Sequence, residues 1–223
     1  MNSKKRGKPK KLKIFFDFDN TITTFDTIDD MIVRFSINDK WKKLEYDWTN
    51  GKIGSRKCLD GQIRNIRITR AELSRYLRQV RIDPYFKKIL SLLRANGVAV
   101  FILSDNFDYI LKRVLKNNGI RRIPVYCNGL SFQGDRLIPH FRFTDKFCTI
   151  CAHCKKNNLL ANAGKGYFTA YVGDGISDVC PSKNTDLIFA KASLLRRLKD
   201  SNVEHVAYDT LKDVYDYIKE KLI

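Results

Sequence analysis

Length and composition limit what this chain can be. Its 223 residues, 43% of them apolar and 12% aromatic, suffice for one sizeable core, or for a core with a small inserted module, and exclude a disordered protein. The net charge of +18 permits an anionic partner, although seven of the charges lie in or beside an N-terminal arm at residues 1–11, which we predict to be basic and disordered. With neither a long apolar run nor a secretory signal pattern, we expect a cytoplasmic protein without a membrane span.

The first predicted element lies in the stretch from 13 to 21, an apolar run that ends in two carboxylates, Asp17 and Asp19. Such a run suits a strand that is buried on both faces and delivers two carboxylates at its carboxyl end. In open parallel sheets, ligands bind in the crevice beyond the strand ends, so chemistry is expected there. The alternative is that Asp19-Asn20-Thr21 only makes a turn and caps the next helix.

From about 26 to 80 the chain shows helical spacing and no strong strand. Thr27 is predicted to cap the first helix, Ser55 to open another, and Thr69 with Glu72 to form a capping box. The segment is therefore predicted to be a small all-helical insertion. Its arginines either face an anionic substrate or form a solvated helix surface.

Alternating helices and strands follow, which predicts an α/β class with a mostly parallel sheet. Ser104 stands at the end of one predicted strand, and a Gly134-Asp135 turn predicts a hairpin. The predicted helices are 85–95, 107–118 and 155–161, and the predicted strands are 98–103, 123–127, 167–172, 187–190 and 204–207.

Six cysteines without an export signal indicate free thiols rather than a disulfide framework. Cys148, Cys151 and Cys154 cluster with His153 within seven residues. A structural zinc usually draws on two such groups separated by a longer loop, and the sequence offers no second group. Whether this cluster binds a metal stays open.

Three predicted strands thus end in polar residues: Asp17 with Asp19, then Ser104, then Asp174 with Asp178. In this order, and with a lysine before the last pair, they resemble the four motifs of the haloacid dehalogenase (HAD) superfamily of phosphohydrolases. The resemblance spans about 12 to 190. The helical insertion and the Gly-Asp-Gly-Ile-Ser-Asp-Val-Cys-Pro stretch resemble the phosphoserine-phosphatase-type branch, subfamily IB, and the Cys-Ala-His-Cys-Lys stretch is similar to the MtnX-like phosphatases of methionine salvage.

The resemblance implies a Rossmann-like, HAD-type sheet with a small inserted all-helical cap: a core of 12–26 and 81–223 and a cap of 27–80. It also implies a Mg²⁺-dependent phosphomonoesterase that acts on a small phosphorylated metabolite. Asp17 would be the nucleophile that forms an aspartyl-phosphate, and Asp19 the general acid and base. Asp17, Asp174 and the backbone carbonyl of Asp19 would bind Mg²⁺, whereas Asp178 would hold the lysine or a metal-bound water.

Two further groups would contact the substrate. Ser104 would bind phosphate, the alternative being a helix cap. Lys155 has the family spacing before Asp174, Lys156 is the fallback, and Lys146 is too early. Asp26 would either meet a substrate ammonium or begin the cap helix as an acidic N-terminal residue.

Two other functions remain open. A phosphatase acting on nucleic-acid ends is favoured by the charge and disfavoured by a cap that would crowd a polymer. A non-catalytic family member would only bind phosphate or a partner, although every expected catalytic residue type is present. The particular substrate and the oligomeric state are not predicted.

Overall fold

The computed structural model of the protein describes residues 11–148 and 150–223. A seven-stranded sheet runs through it in the order β4-β3-β2-β1-β5-β6-β7. The strands are β1 Leu12–Phe16, β2 Ala99–Phe107, β3 Val125–Gln133, β4 Arg136–His140, β5 Phe168–Gly173, β6 Leu187–Ala190 and β7 Val206–Ala207. Only the β3–β4 pair is antiparallel among these strands, so the predicted mostly parallel α/β sheet is confirmed.

Helices flank the sheet and fill the segment between β1 and β2. They are α1 Thr27–Phe35, α2 Lys40–Thr49, α3 Ser55–Arg64, α4 Arg70–Tyr76, α5 Pro84–Ala95, α6 Asp108–Asn117, α7 Lys155–Ala163, α8 Val179–Ser182, α9 Ala192–Asp200 and α10 Leu211–Tyr217. Among residues 11–148 and 150–223, no helix is long and apolar enough to cross a membrane.

The central strand β1 is covered on both faces. Ile14 and Phe16 belong to the main apolar cluster, while Phe15 packs in a second cluster with Leu103 and Tyr171 on the other face. Burial of both faces explains why the strand reads as a continuous apolar run. The prediction of a strand buried on both faces is confirmed.

The segment after β1 folds into four helices, α1 to α4. The two ends of this segment lie side by side. Thr23 forms an antiparallel bridge with Ile82, and the Asp83 N–H donates to the Ile22 carbonyl at 2.8 Å. These contacts support our proposal that residues 27–80 form a cap inserted into a core of 12–26 and 81–223. The proposed basic arm, apart from Lys11, lies outside the described residues.

The first cap helix begins one residue earlier than predicted. Its N-cap is Asp26, whose Oδ1 accepts the N–H groups of Ile28 and Asp29 at 2.9 and 3.0 Å. Thr27 is the first helical residue, and its hydroxyl donates to Asp19 instead. The predicted capping box of Thr69 and Glu72 is confirmed.

Strand β2 is longer than predicted and reaches Phe107, so α6 begins at Asp108. Its pairing register with β3 shifts between Leu103 and Phe107, which leaves 104–106 in an irregular stretch. Ser104 is therefore not a helix cap. Similarly, β3 continues without a break into the predicted hairpin, whose turn at Gly134 is confirmed by a φ of 63°.

Candidate active site

Three neighbouring strands deliver polar residues to one edge of the sheet. Phe16 of β1 pairs with Ile102 of β2 and with Val172 of β5, all in parallel register. The carboxyl ends of parallel strands meet at one edge, so Asp17 and Asp174 come together there with Ser104. All three line a single cavity of about 180 Å³, as the sequence predicts.

Lys155, the first residue of α7, joins two of the acids. Its Nζ lies 2.6 Å from Asp17 Oδ1 and 2.7 Å from Asp178 Oδ1, and all three side chains are buried. Burial works to lower the pKa of Lys155, but the charges of Asp17 and Asp178 outweigh it and raise that pKa well above its ordinary value. Lys155 is therefore an ammonium ion that lines the cavity, whereas Lys156 lies outside the lining.

Asp178 accepts four hydrogen bonds from protein groups. Its Oδ1 accepts the Tyr171 hydroxyl at 2.6 Å in addition to Lys155, and its Oδ2 accepts the N–H groups of Asp174 and Gly175 at 3.0 and 2.9 Å. With no exposed surface, it fixes both the ammonium and the loop that carries Asp174. This geometry supports the predicted positioning role for Asp178.

Asp174 faces Asp17 across the edge and is oriented from β1. The side-chain amide of Asn20 donates to its Oδ2 at 2.8 Å, and the Thr21 hydroxyl donates to its Oδ1 at 3.0 Å. Both donors come from the turn that follows Asp19. The chain that follows β1 therefore supplies Asp17 and also fixes the carboxylate of Asp174.

The acids at this edge outnumber the cations. Oxygens of Asp17, Asp174 and Asp178 lie within 4.8 Å of one another, and among residues 11–148 and 150–223 only the ammonium of Lys155 pairs with them. Burial and the neighbouring carboxylates raise the pKa of Asp17 well above its usual range and also raise that of Asp174. A divalent cation would relieve this repulsion, and an all-oxygen donor set suits Mg²⁺.

The side chains of the cysteine cluster do not converge as the three carboxylates do. Across the part of the chain that the structure describes, the three acids just named form the only group of three or more converging histidine, cysteine, aspartate or glutamate ligand atoms. Cys148 and Cys151 place their Sγ atoms 3.8 Å apart, but Cys154 and His153 do not complete a group with them. The geometry gives no support to a zinc site here.

Asp19 is held by one residue of the cap and one of β2. Its Oδ1 accepts both the N–H, at 3.0 Å, and the hydroxyl of Thr27, and its Oδ2 accepts the side-chain amide of Asn106 at 2.8 Å. Burial, followed by the charge of Asp26, raises the pKa of Asp19 to about 7, although these hydrogen bonds favour the ionised form. A carboxyl group with such a pKa exchanges a proton readily near neutrality.

Ser104 is buried where the irregular stretch of β2 begins. Its Oγ accepts the Asn106 N–H at 3.1 Å, so its own hydroxyl hydrogen can point into the cavity. With the ammonium of Lys155, it provides donors suited to an oxyanion. This arrangement supports phosphate binding by Ser104 and Lys155.

The cap side of the cavity is acidic. Asp26 and Asp29 line it from the start of α1, and Glu45 lines it from α2. Burial and the charges of Asp26 and Glu45 raise the pKa of Asp29 to about 7. Lys155 is the sole lysine or arginine among the described residues that line the cavity, so the +18 charge lies elsewhere. Asp26 caps α1, as one of the two sequence interpretations holds, and it lines the cavity as well.

Sequence reasoning missed several residues that position the acids. Asn106, Thr27 and Tyr171 hold Asp19 or Asp178 by side-chain hydrogen bonds. Tyr171 looks like an ordinary apolar residue of β5, and no neighbouring residue indicates its contact with Asp178. Asn106 carries a weak signal, since it is a polar residue two positions after Ser104 at a predicted strand end.

The site agrees with the comparisons to known proteins. Residues 14–180 match the haloacid dehalogenase-like hydrolases, and the chain belongs to this family. The chain superposes on a substrate-bound phosphoserine phosphatase with a TM-score of 0.70 at 18% identity, covering 94% of this chain and 99% of the other. The predicted HAD-type fold is therefore confirmed.

Two relatives that match this chain over nearly their whole length are phosphatases. The chain is 26% identical over 215 residues to the 2-hydroxy-3-keto-5-methylthiopentenyl-1-phosphate phosphatase of Brevibacillus brevis, with 95% of this chain and 96% of the relative covered. It is 28% identical over 220 residues to the enzyme of that name from Bacillus pumilus, with 95% and 94% covered. These relatives confirm the predicted likeness to MtnX-type phosphatases.

Proposed function

We propose that this protein is a Mg²⁺-dependent phosphomonoesterase that hydrolyses a small phosphorylated metabolite through an aspartyl-phosphate on Asp17. The observation that carries the proposal is the pairing of Asp17, bound to Lys155 Nζ at 2.6 Å, with Asp19, a carboxyl group of pKa about 7, in one cavity. A nucleophile, a proton donor and a phosphate-binding cation are the groups this reaction requires. Membership of the family and the phosphatase relatives support the assignment.

In the first half-reaction, an Asp17 carboxylate oxygen attacks phosphorus. Lys155 and the Ser104 hydroxyl bind the phosphoryl oxygens, whose charge they offset as the bond to the leaving oxygen breaks. Asp19, protonated at its buried site, gives its proton to that leaving oxygen. The products are an alcohol and the phosphorylated Asp17.

In the second half-reaction, Asp19 acts in the reverse sense. Now a carboxylate, it removes a proton from a water that attacks the phosphorus of the aspartyl-phosphate, and Asp17 is restored with release of inorganic phosphate. Asn106 and Thr27 hold Asp19 in one orientation for both steps. Asp178 positions Lys155 and the Asp174 loop.

Side-chain oxygens of Asp17 and Asp174 and the backbone carbonyl of Asp19 would hold Mg²⁺. The ion would supply positive charge that offsets the phosphoryl oxygens. Asn20 and Thr21 keep Asp174 in place for this role.

The substrate is a compact molecule because the cavity is small, about 180 Å³, and roofed by α1, α2 and α3 of the proposed cap. The phosphate lies at the Lys155 end, and the remainder faces Asp26, Asp29 and Glu45. The substrate named for the relatives, 2-hydroxy-3-keto-5-methylthiopentenyl-1-phosphate, is one candidate. An amine-bearing phosphomonoester is the other, with Asp26 facing the ammonium.

The net charge of +18 is the specific observation that favours the rival function, a phosphatase of nucleic-acid ends. The acidic lining of the cavity opposes it. We also propose that the protein is cytoplasmic, where thiols are ordinarily reduced and disulfides are transient, since all six cysteines are free.

A substrate panel tests the proposed function. We expect compact phosphorylated metabolites to show kcat/KM values at least about tenfold above those of 5′-phosphorylated oligonucleotides, equal to about 1.4 kcal/mol of transition-state stabilisation. Phosphate release is measured at physiological salt, with Mg²⁺ and again after chelation, which should abolish it. A preference for oligonucleotide ends would instead establish the rival function.

The pKa of Asp19 predicts how activity depends on pH. An acid whose pKa is raised to about 7 donates its proton only below that pH, so kcat/KM should decline as the pH rises through 7. Thr27→Val removes a hydrogen bond that favours the Asp19 carboxylate, so the pKa rises and the decline should move to higher pH. Thr24→Val, at an exposed threonine, is the control that should leave the profile unchanged. An unshifted profile in Thr27→Val would remove Asp19 as the acid.

A further inference from the structure

A pair of thiols lies on the loop that precedes α7, and the proposed mechanism does not use it. Cys148 and Cys151 are both half-buried free cysteines. Their Sγ atoms are 3.8 Å apart, and since a disulfide requires about 2.05 Å, an approach of about 1.8 Å would join them. The flanking Phe147 and Ile150 are 98% and 64% exposed, so small molecules in solution can reach the pair.

The two thiols are chemically unequal. Backbone N–H groups of Cys151 and Ile150 stabilise the Cys148 thiolate and lower its pKa. Burial, with a further contribution from Cys148, raises the pKa of Cys151 to about 12. Because the thiolate is the attacking species, Cys148 is the nucleophile of the pair, and Cys151 is the resolving thiol.

Ile150, which lies between the two cysteines, touches the cap. A Cβ built on Gly54 would lie 2.7 Å from the carbonyl oxygen of Ile150 and 2.8 Å from its Cα, so only glycine allows this approach. The Arg56 N–H also donates to the Ile150 carbonyl at 3.3 Å. Movement of Ile150 therefore acts directly on the start of α3.

The same loop continues into the active site. Ala152 lines the cavity, and Lys155 is the ammonium that binds Asp17. A bond between Cys148 and Cys151 would close a ring around Ile150, directly before Ala152 and Lys155. The loop thus connects the thiol pair to the cap on one side and to the phosphate-binding lysine on the other.

We propose that Cys148 and Cys151 form a reversible disulfide that reduces catalysis by displacing the Ile150 contact with the cap. The oxidant is a low-molecular-weight disulfide. The Cys148 thiolate attacks one of its sulfurs, a mixed disulfide forms and one thiolate leaves. Cys151 then attacks the Cys148 sulfur, passes its proton to the second departing thiolate, and completes the bond. Two thiols are oxidised, and the reagent is reduced to two thiols.

The experiment treats the full chain with glutathione disulfide and follows intact mass, peptide maps and activity. The wild type should lose the mass of two hydrogens, with Cys148 linked to Cys151, and dithiothreitol should reverse the change. Cys151→Ser should instead accumulate a glutathione adduct on Cys148, and Cys148→Ser should form neither the adduct nor the bond. Cys180→Ser, at an exposed cysteine, is the matched control and should cross-link as the wild type does.

Each result decides a separate part of the proposal. A Cys151–Cys154 bond, or adducts confined to Cys180, would overturn the thiol pair. The oxidised wild type should show kcat/KM lowered about threefold or more, whereas treated Cys148→Ser should keep its activity. Equal activity of oxidised and reduced wild type would overturn the link to the cap. The activity comparison rests on the proposed phosphatase function, whereas the peptide maps do not. Failure of the disulfide proposal can therefore be distinguished from failure of the proposed function.

Discussion

Asp17→Asn should lower turnover by more than about three orders of magnitude while the fold is kept. The amide retains the shape of the side chain and can still accept a hydrogen bond from Lys155, but it cannot attack phosphorus. The substitution also removes one of the three mutually repelling carboxylates, and Lys155 keeps Asp178 as its charged partner, so thermal stability should not fall. Phosphate release and thermal unfolding of the purified variant measure the two effects.

Asp60→Asn is a suitable control for that experiment. Asp60 is a partly exposed carboxylate on α3 that pairs with Arg64 at 3.0 Å, and its loss should leave turnover unchanged. If Asp17→Asn retained most of its activity, Asp17 would not be the nucleophile.

Lys155→Met should be both inactive and unstable. Methionine has a similar length, yet it leaves Asp17 and Asp178 buried without their shared ammonium, and removing one partner of a buried ion pair costs about 3–5 kcal/mol. The phosphate also loses its cation, so kcat/KM should fall at least about a hundredfold. Denaturant unfolding and phosphate release measure the two losses.

Lys156→Met provides the matched comparison, since Lys156 is the neighbouring half-buried lysine outside the cavity lining. It should resemble the wild type in both measurements. Loss of activity in Lys156→Met with normal activity in Lys155→Met would reverse the assignment of the phosphate-binding lysine.

The sequence predicted the acids and the sheet because both depend on local pattern. An apolar run followed by Asp17 and Asp19 predicts a buried strand that ends in carboxylates. Apolar runs before Ser104 and Asp174 predict strand ends there in the same way. Parallel pairing then brings the strand ends to one edge, which the register of Phe16 confirms. The capping box at Thr69 was equally local and equally predictable.

Asn106 could not be predicted from local pattern, because it reaches Asp19 across 87 positions. Lys155 was predicted only through the family resemblance, since its contact with Asp17 spans 138 positions. Thr27 and Tyr171 lie only 8 and 7 positions from the acids they hold, but a threonine before a helix and a tyrosine in a strand have ordinary structural explanations. The end of β2 was misjudged because the register shift before Phe107 keeps a polar stretch in strand conformation. The acidic cap side of the cavity could not be predicted from the net charge, which has the opposite sign.

The aspartyl-phosphate itself provides the most direct test of the proposed function. The enzyme is mixed with Mg²⁺ and a turned-over phosphorylated metabolite, quenched during turnover, and reduced with borohydride, which converts a phosphorylated aspartate to homoserine. Peptide mapping should find homoserine at position 17 in the wild type and nowhere in Asp17→Asn. Homoserine at another aspartate, or rapid phosphate release without any trapped residue under conditions where the intermediate accumulates, would contradict nucleophilic catalysis by Asp17.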